Sequence, residues 1–108
     1  VTVRGRQVHG ATPWAAVDPI VVASQIVTGL QTIVSRQLDL TTAPAVVTVG
    51  AFNGGIRNNI IPDSVVLLGT IRTFDPAMRK EVAMRIRRTA EQIAAASGAT
   101  AVVDVQER

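Results

Sequence analysis

Asp63-Ser64-Val65-Val66-Leu67-Leu68-Gly69-Thr70-Ile71-Arg72-Thr73-Phe74-Asp75-Pro76 is the stretch that decides the fold. Val65, Leu67 and Ile71 alternate with Val66, Leu68 and Arg72, the two-residue period of a strand with one covered face. Asp75-Pro76 then opens a helix. The Asp carboxylate can accept from amides of the first turn, and Pro has its φ preset where no amide is needed. The helix is predicted to end near Ser97, with Gly98 as the residue that closes it. Val82, Ile86, Ala90 and Ile93 recur every three or four residues as its apolar stripe. Ala99–Gln106 reads as a further strand.

The same signal stands upstream at Asp18-Pro19 and predicts a first helix running to about Leu38. Val1–His9 reads as a strand, and residues 10–17 as a loop containing Pro13. Pro44–Phe52 is a Val-rich strand, and Asn53–Pro62 is a loop punctuated by Gly54-Gly55 and Asn58-Asn59. The order βαββαβ is the ferredoxin-like arrangement. The expected fold class is therefore α+β, with a four-stranded antiparallel sheet and both helices on one face.

The chain has 108 residues and reads as one domain, 1–108, with 47% apolar residues for its core. It contains no Cys and one His, which rules out a disulfide framework, a thiol nucleophile and a two-His zinc motif within the chain. The lack of Cys fits a reducing compartment, so a cytoplasmic protein is expected. Arg79, Lys80, Arg85, Arg87 and Arg88 form a basic stretch, but Glu81 and Glu91 interrupt it. The three aromatic residues, Trp14, Phe52 and Phe74, are too few for base stacking. No nucleic-acid partner is expected. Residues 19–35 carry no charge, but six of them are Ser, Gln or Thr, which favours a water-soluble helix over a membrane span. The chain starts in a strand-like pattern without Met, as a fragment from inside a longer protein would.

The first helix carries two apolar rows. Ile20, Ala23, Val27, Leu30 and Val34 form one; Val22, Ile26, Gly29 and Ile33 form the other. One row can cover the sheet. The second is expected at a homodimer interface, because charge-depleted surface with an apolar centre is what interfaces use. A wide core face, or cover from a further domain, would give the same pattern. Among polar residues, His9 at a strand end is a candidate acid, base or hydrogen-bond donor. Asn59 lies in a loop longer than a hairpin needs. Arg72 sits on an otherwise uncharged strand and can fork onto a carboxylate. Each also has an ordinary surface reading.

Four segments in register carry a resemblance. Gly5-Arg6-Gln7-Val8-His9-Gly10-Ala11-Thr12-Pro13 resembles the G-x-x-x-H-[AG]-x-x-P segment that opens the dimerisation (lid) domain of the M20 metallopeptidase family. Val17-Asp18-Pro19-Ile20, with Leu30–Arg36, resembles the N-acyl-amino-acid, hippurate and auxin-conjugate amidohydrolase branch. Asn59-Ile60-Ile61-Pro62-Asp63 is similar to its N-[VI]-I-P-[DE] motif, and Gly69-Thr70-Ile71-Arg72 to its G-[TE]-[IV]-R. The matches span residues 5–74; residues 76–108 match in pattern alone.

The resemblance implies a domain inserted in a larger catalytic domain that holds two divalent ions, usually zinc. No metal ligand or cofactor is expected in this chain itself. The implied reaction is hydrolysis of an amide in an N-acyl amino acid or small peptide. The implied partners are a second copy, the missing catalytic domain and that small-molecule substrate. His9 matches the His that stabilises the tetrahedral intermediate in the partner subunit's active site. Asn59 matches a loop Asn near the substrate, and Arg72 the Arg that holds the substrate carboxylate. The alternative reading is a stand-alone ferredoxin-like module for a small ligand or RNA; RNA binding would call for aromatics on the central strands.

Overall fold

The computed structural model describes residues 1–5, 8, 9, 14 and 16–106, with the backbone alone for Val8 and His9. Along these residues run β1 (Thr2–Arg4), β2 (Val8–His9), α1 (Pro19–Thr32), β3 (Val46–Asn53), β4 (Ile60–Ile61), β5 (Ser64–Arg72), α2 (Pro76–Ala96) and β6 (Thr100–Val102). A π-helical turn, Ile33–Gln37, prolongs α1. The main sheet has the order β3-β5-β1-β6, and every neighbouring pair is antiparallel. This is the α+β, ferredoxin-like sheet with two helices. The predicted loop 10–17 falls largely outside the described residues.

The caps form as the sequence implies. Asp18 Oδ1 accepts from the Ile20 amide at 2.9 Å, and Asp75 Oδ1 from the Ala77 amide at 2.8 Å. At the end of α2, Gly98 takes a φ of 75°, which a side chain would disfavour. The Ala99 amide then donates to the Ala94 carbonyl at 2.9 Å and that of Gly98 to Ala95 at 3.1 Å. These paired bonds satisfy carbonyls the helix would otherwise leave open. After α1, the exposed Asp39 closes a turn. Its carboxyl is held below its usual range by the Thr41 hydroxyl first, then by the Thr41 amide and by Thr42.

The parity of β5 organises the core. Val65 and Leu67 are buried on the helix side, whereas Val66, Leu68, Thr70 and Arg72 are exposed on the other. Val3 faces Val65 on one side and Ala101 on the other. Val47 faces Ile71 across the β3 ladder, and the register shifts between Val49 and Ala51. Val82, Ile86 and Ala90 bring α2 down on this layer beside α1. Among the described residues no helix is long and apolar enough to cross a membrane.

Two expectations need correction. The first strand is not continuous over residues 1–9: β1 ends at Arg4, and β2 pairs with β4 in a separate two-stranded sheet. Gly5 marks the break. A Cβ there would lie 2.0 Å from the Val17 carbonyl oxygen, so the chain passes too close to Val17 for any side chain. The second correction concerns the interface row. Val22, Ile26 and Ile33 are 2%, 0% and 0% exposed within this chain's own core. Gly29 meets α2: a Cβ there would stand 2.7 Å from Ile93 Cδ1. Because α1 packs against the sheet and α2 together, its inward arc takes up Val22, Ile26 and Ile33 as well as Ala23 and Leu30, while Gly29 stays half-buried at its edge. What faces outward is Val21, Ser24, Gln25 and Thr28.

This assignment predicts an asymmetry between neighbouring apolar positions of one helix. Ile26→Ala should lower unfolding free energy by about 2–5 kcal/mol. Val21→Ala should change it by no more than about 0.5 kcal/mol. Urea denaturation followed by circular dichroism measures both; equal losses would overturn the assignment.

Candidate functional site

The small sheet brings two of the three candidate residues together. Val8 faces Ile61 and His9 faces Ile60, so the His9 backbone lies opposite the residue that follows Asn59. Two features hold this end of the fold. The Gly5 amide donates to the Asp63 carbonyl at 2.9 Å, tying the exit of β1 to the entrance of β5. The Ile60 amide donates to the Arg57 carbonyl at 3.4 Å, which closes a turn over Asn58 and Asn59. That turn folds the Arg57 backbone back beside Ile60. Gly55, with φ of 85°, supplies the sharp bend that starts the loop.

The surface here is a shallow groove whose lining includes Gly55, Ile56, Arg57, Ile60, Pro62 and Asp63. Ile56 at the loop tip is 99% exposed. Asn59 and Arg57 are exposed as well. The sequence reading does not single out Arg57. The signal for it was available: a turn-forming Asn58-Asn59 pair before a strand folds the preceding residue over the following one.

Arg72 is not part of this cluster. It ends the nine-residue β5, opposite Val46 and exposed. At about 3.3 Å per residue, roughly 26 Å of strand separates it from the Asn59 end. Val1 stands beside the middle of β5. The Val1 ammonium donates to the Leu67 carbonyl at 2.9 Å, and β6 runs from Thr100, opposite Arg4, to Val102, opposite Thr2. Partial burial lowers the pKa of that ammonium, and Asp104 partly offsets the effect.

Among the described residues no group of three or more His, Asp or Glu could hold a metal ion. Since His9 is the chain's one His, the donors of a dinuclear site do not fit here. What the cluster offers is polar and cationic groups on a projecting loop: surface that can complete a site built by something else.

The chain matches a family described as the peptidase dimerisation domain over residues 1–97. It is 47% identical over 96 residues to N-acetyl-L-cysteine deacetylase of Bacillus subtilis, covering 89% of this chain and 23% of that protein. It is 42% identical over 106 residues to N-acetyldiaminopimelate deacetylase of Leuconostoc citreum, covering 98% and 27%. Among solved structures, it resembles a Bacillus subtilis protein described as a dinuclear metal-binding peptidase of the M20 family. The TM-score is 0.63 at 34% identity, over 92% of this chain and 23% of that one. The chain thus spans about a quarter of the length of these relatives. With the fold, the strand order and these similarities in agreement, the chain belongs to the M20 peptidase dimerisation domain family.

Proposed function

We propose that this chain is the dimerisation domain of a zinc-dependent amidohydrolase acting on N-acyl amino acids or small peptides. In this reading it pairs with a second copy and lends His9 and Asn59 to the partner subunit's active site. One observation carries the reading: His9 faces Ile60, beside Asn59, at the sheet end away from Val1 and from the last residue of β6. Sequence flanking this domain in a longer enzyme would join at the termini. The His9 end therefore reaches away from its own catalytic domain, toward that of a partner. Arg72, at the far end of β5, is assigned to its own subunit's site, where a guanidinium can grip a substrate carboxylate with two parallel bonds. The metal ions belong to the flanking domain; among the described residues no cluster of donors could hold one.

Amide hydrolysis develops negative charge on the carbonyl oxygen as water adds. An imidazole N–H preorganised at that oxygen stabilises the charge most where it is fully developed, and so accelerates the step. Delivering the donor on a separate domain lets closure exclude water and complete the site in one motion.

With Val22, Ile26 and Ile33 committed to the core, pairing needs another surface. The outward strip of α1 is charge-free and lies beside β3, an edge strand of the main sheet. Two copies related by a two-fold axis can set these strips together and continue the sheet through β3.

Two experiments test the proposal. Val21→Glu with Thr28→Glu should weaken dimerisation at least tenfold by sedimentation, because like charges face each other across the axis, while circular dichroism stays unchanged. An unaltered dimer would remove α1 from the interface. In the full-length enzyme, His9→Ala should lower kcat by roughly 10²–10³ with much less effect on KM. Mixing that variant with a subunit disabled in its own catalytic domain should restore part of the activity. No recovery from demonstrated mixed dimers would place His9 in its own subunit's site or in the fold alone.

A further inference from the structure

The main sheet has two edges, β6 with three residues and β3 with eight. The longer edge contains an irregularity that decides what it can pair with. Over residues 46–49 the ladder is regular. Val46 and Thr48 face Arg72 and Thr70 on the outer side of the sheet, and Val47 and Val49 face Ile71 and Gly69 on the helix side. The ladder then skips Gly50, so Ala51 and Asn53 face Leu68 and Val66 on the outer side, and Phe52 faces the buried Leu67. Even-numbered residues therefore point outward before the skip and odd-numbered ones after it. Two features near the skip have no cause within one chain. Gly50 has no positive φ, and a Cβ there would meet nothing within 4 Å, so no neighbour demands a glycine. Phe52 is 40% exposed although it stands on the helix side.

When an antiparallel strand meets a copy of itself about a two-fold axis, residues set opposite each other must share a face. In a regular strand of eight residues the first and the last point to opposite faces. Such a strand cannot pair with itself over its full length. The skip at Gly50 removes that obstacle. Val46 and the partner's Asn53 both point outward, as do Thr48 and the partner's Ala51, while Val47 and the partner's Phe52 both face the helices. All eight residues pair in this register, and a slip by two leaves two of them unpaired at one end. The axis falls between Val49 and Gly50, where the bare glycine of each copy leaves room for Val49 of the other. Phe52 gains the partner's Val47 as cover. We infer that β3 pairs with the partner's β3 in this register, which brings the Arg72 end of each copy beside the His9 and Asn59 end of the other. The step is geometric: Arg72 lies opposite Val46, Val46 opposite the partner's Asn53, and Asn53 opposite Val66, near the entrance of β5. Three strand spacings, about 14 Å, then separate Arg72 from the partner's β5 at the level of Val66. Within one chain the length of β5 holds the same two ends apart. The inference rests on the pairing through β3 proposed above and adds the seam that makes each site complete only in the pair.

The test uses the full-length enzyme with any cysteine of the flanking domain replaced; this domain has none. Four outward positions give four double variants. Val46→Cys with Asn53→Cys, and Thr48→Cys with Ala51→Cys, stand opposite each other across the inferred seam. Val46→Cys with Ala51→Cys, and Thr48→Cys with Asn53→Cys, do so only if the seam slips by two residues. Opposed Cα atoms lie about 4.5–5.5 Å apart, within reach of a disulfide, whereas diagonal neighbours lie too far apart. Under mild oxidation the first two variants should run as covalent dimers on a denaturing gel, at least about tenfold more than the slipped two. Covalent dimer from a slipped pair, or from none of the four when sedimentation shows dimers, would overturn the inference. The register and the shared-site reading fail separately. A slipped seam, with activity restored in mixed dimers of the His9→Ala variant, removes the register and leaves the shared site standing. The inferred seam without that recovery keeps the register and removes the role of His9 in the partner's site.

Discussion

The pairing of β5 with its two neighbours is the constraint on which the rest depends. With Val65 and Leu67 turned toward the helices, a shift of one residue on either side would carry Val3 or Val47 to the wrong face. The β1 ladder therefore locks in the path of the chain toward His9. Between Arg4 and Val8 the register slips by one residue, as the pairings Arg4 with Ser64 and Val8 with Ile61 show. Gly5, pressed against the Val17 carbonyl, still keeps the β1 register through its bond to Asp63, so the slip falls between Gly5 and Val8. Continued straight, β1 would have kept the same pairing along a single sheet. With the slip, Val8 and His9 form a separate ladder with β4. The bond of the Gly5 amide to Asp63 ties the chain leading to this ladder to the entrance of β5.

Much of this architecture was legible in the residues. The Asp-Pro pairs start both helices where they stand, because the cap depends only on local carboxylate and amide chemistry. The alternation in β5 predicted its inward face, and Gly98 its helix terminator. What the sequence could not show was how wide an arc of α1 would be covered. Periodicity reveals that two rows are apolar, but how many neighbours share the covering is a tertiary property. Gly29 is the telling residue. It reads as part of an exposed apolar row, yet its missing side chain lets Ile93 and Thr89 of α2 come close. That approach widens the buried arc and draws Val22, Ile26 and Ile33 inward.

At the candidate site the balance is similar. His9 and Asn59 stand out as polar residues at the ends of apolar strands, and antiparallel pairing alone places them near each other. The break at Gly5 was not foreseen, since a glycine in an alternating stretch does not say which backbone will approach it. Arg57 went unnoticed because an arginine in a Gly- and Asn-rich loop looks like ordinary solvated surface. Its position becomes informative only once the turn from Arg57 to Ile60 is closed.

The two ends of β5 differ in what they can do, and this difference gives the proposed function its logic. A domain about 49 Å long and 18 Å thick cannot bring Arg72 and His9 to one small substrate without bending its own sheet. The ladder bonds and the buried row beneath them oppose such a bend. Stiffness then becomes useful. In a symmetric pair, each rigid domain can place one end at its own catalytic domain and the other at its partner's, so that closing one lid positions groups in two sites. A flexible linker carrying the same side chains would lose the preorganisation on which an oxyanion donor depends. In the proposed assembly, the cost of moving the domain would fall on its connections to the flanking chain, which would leave the register intact.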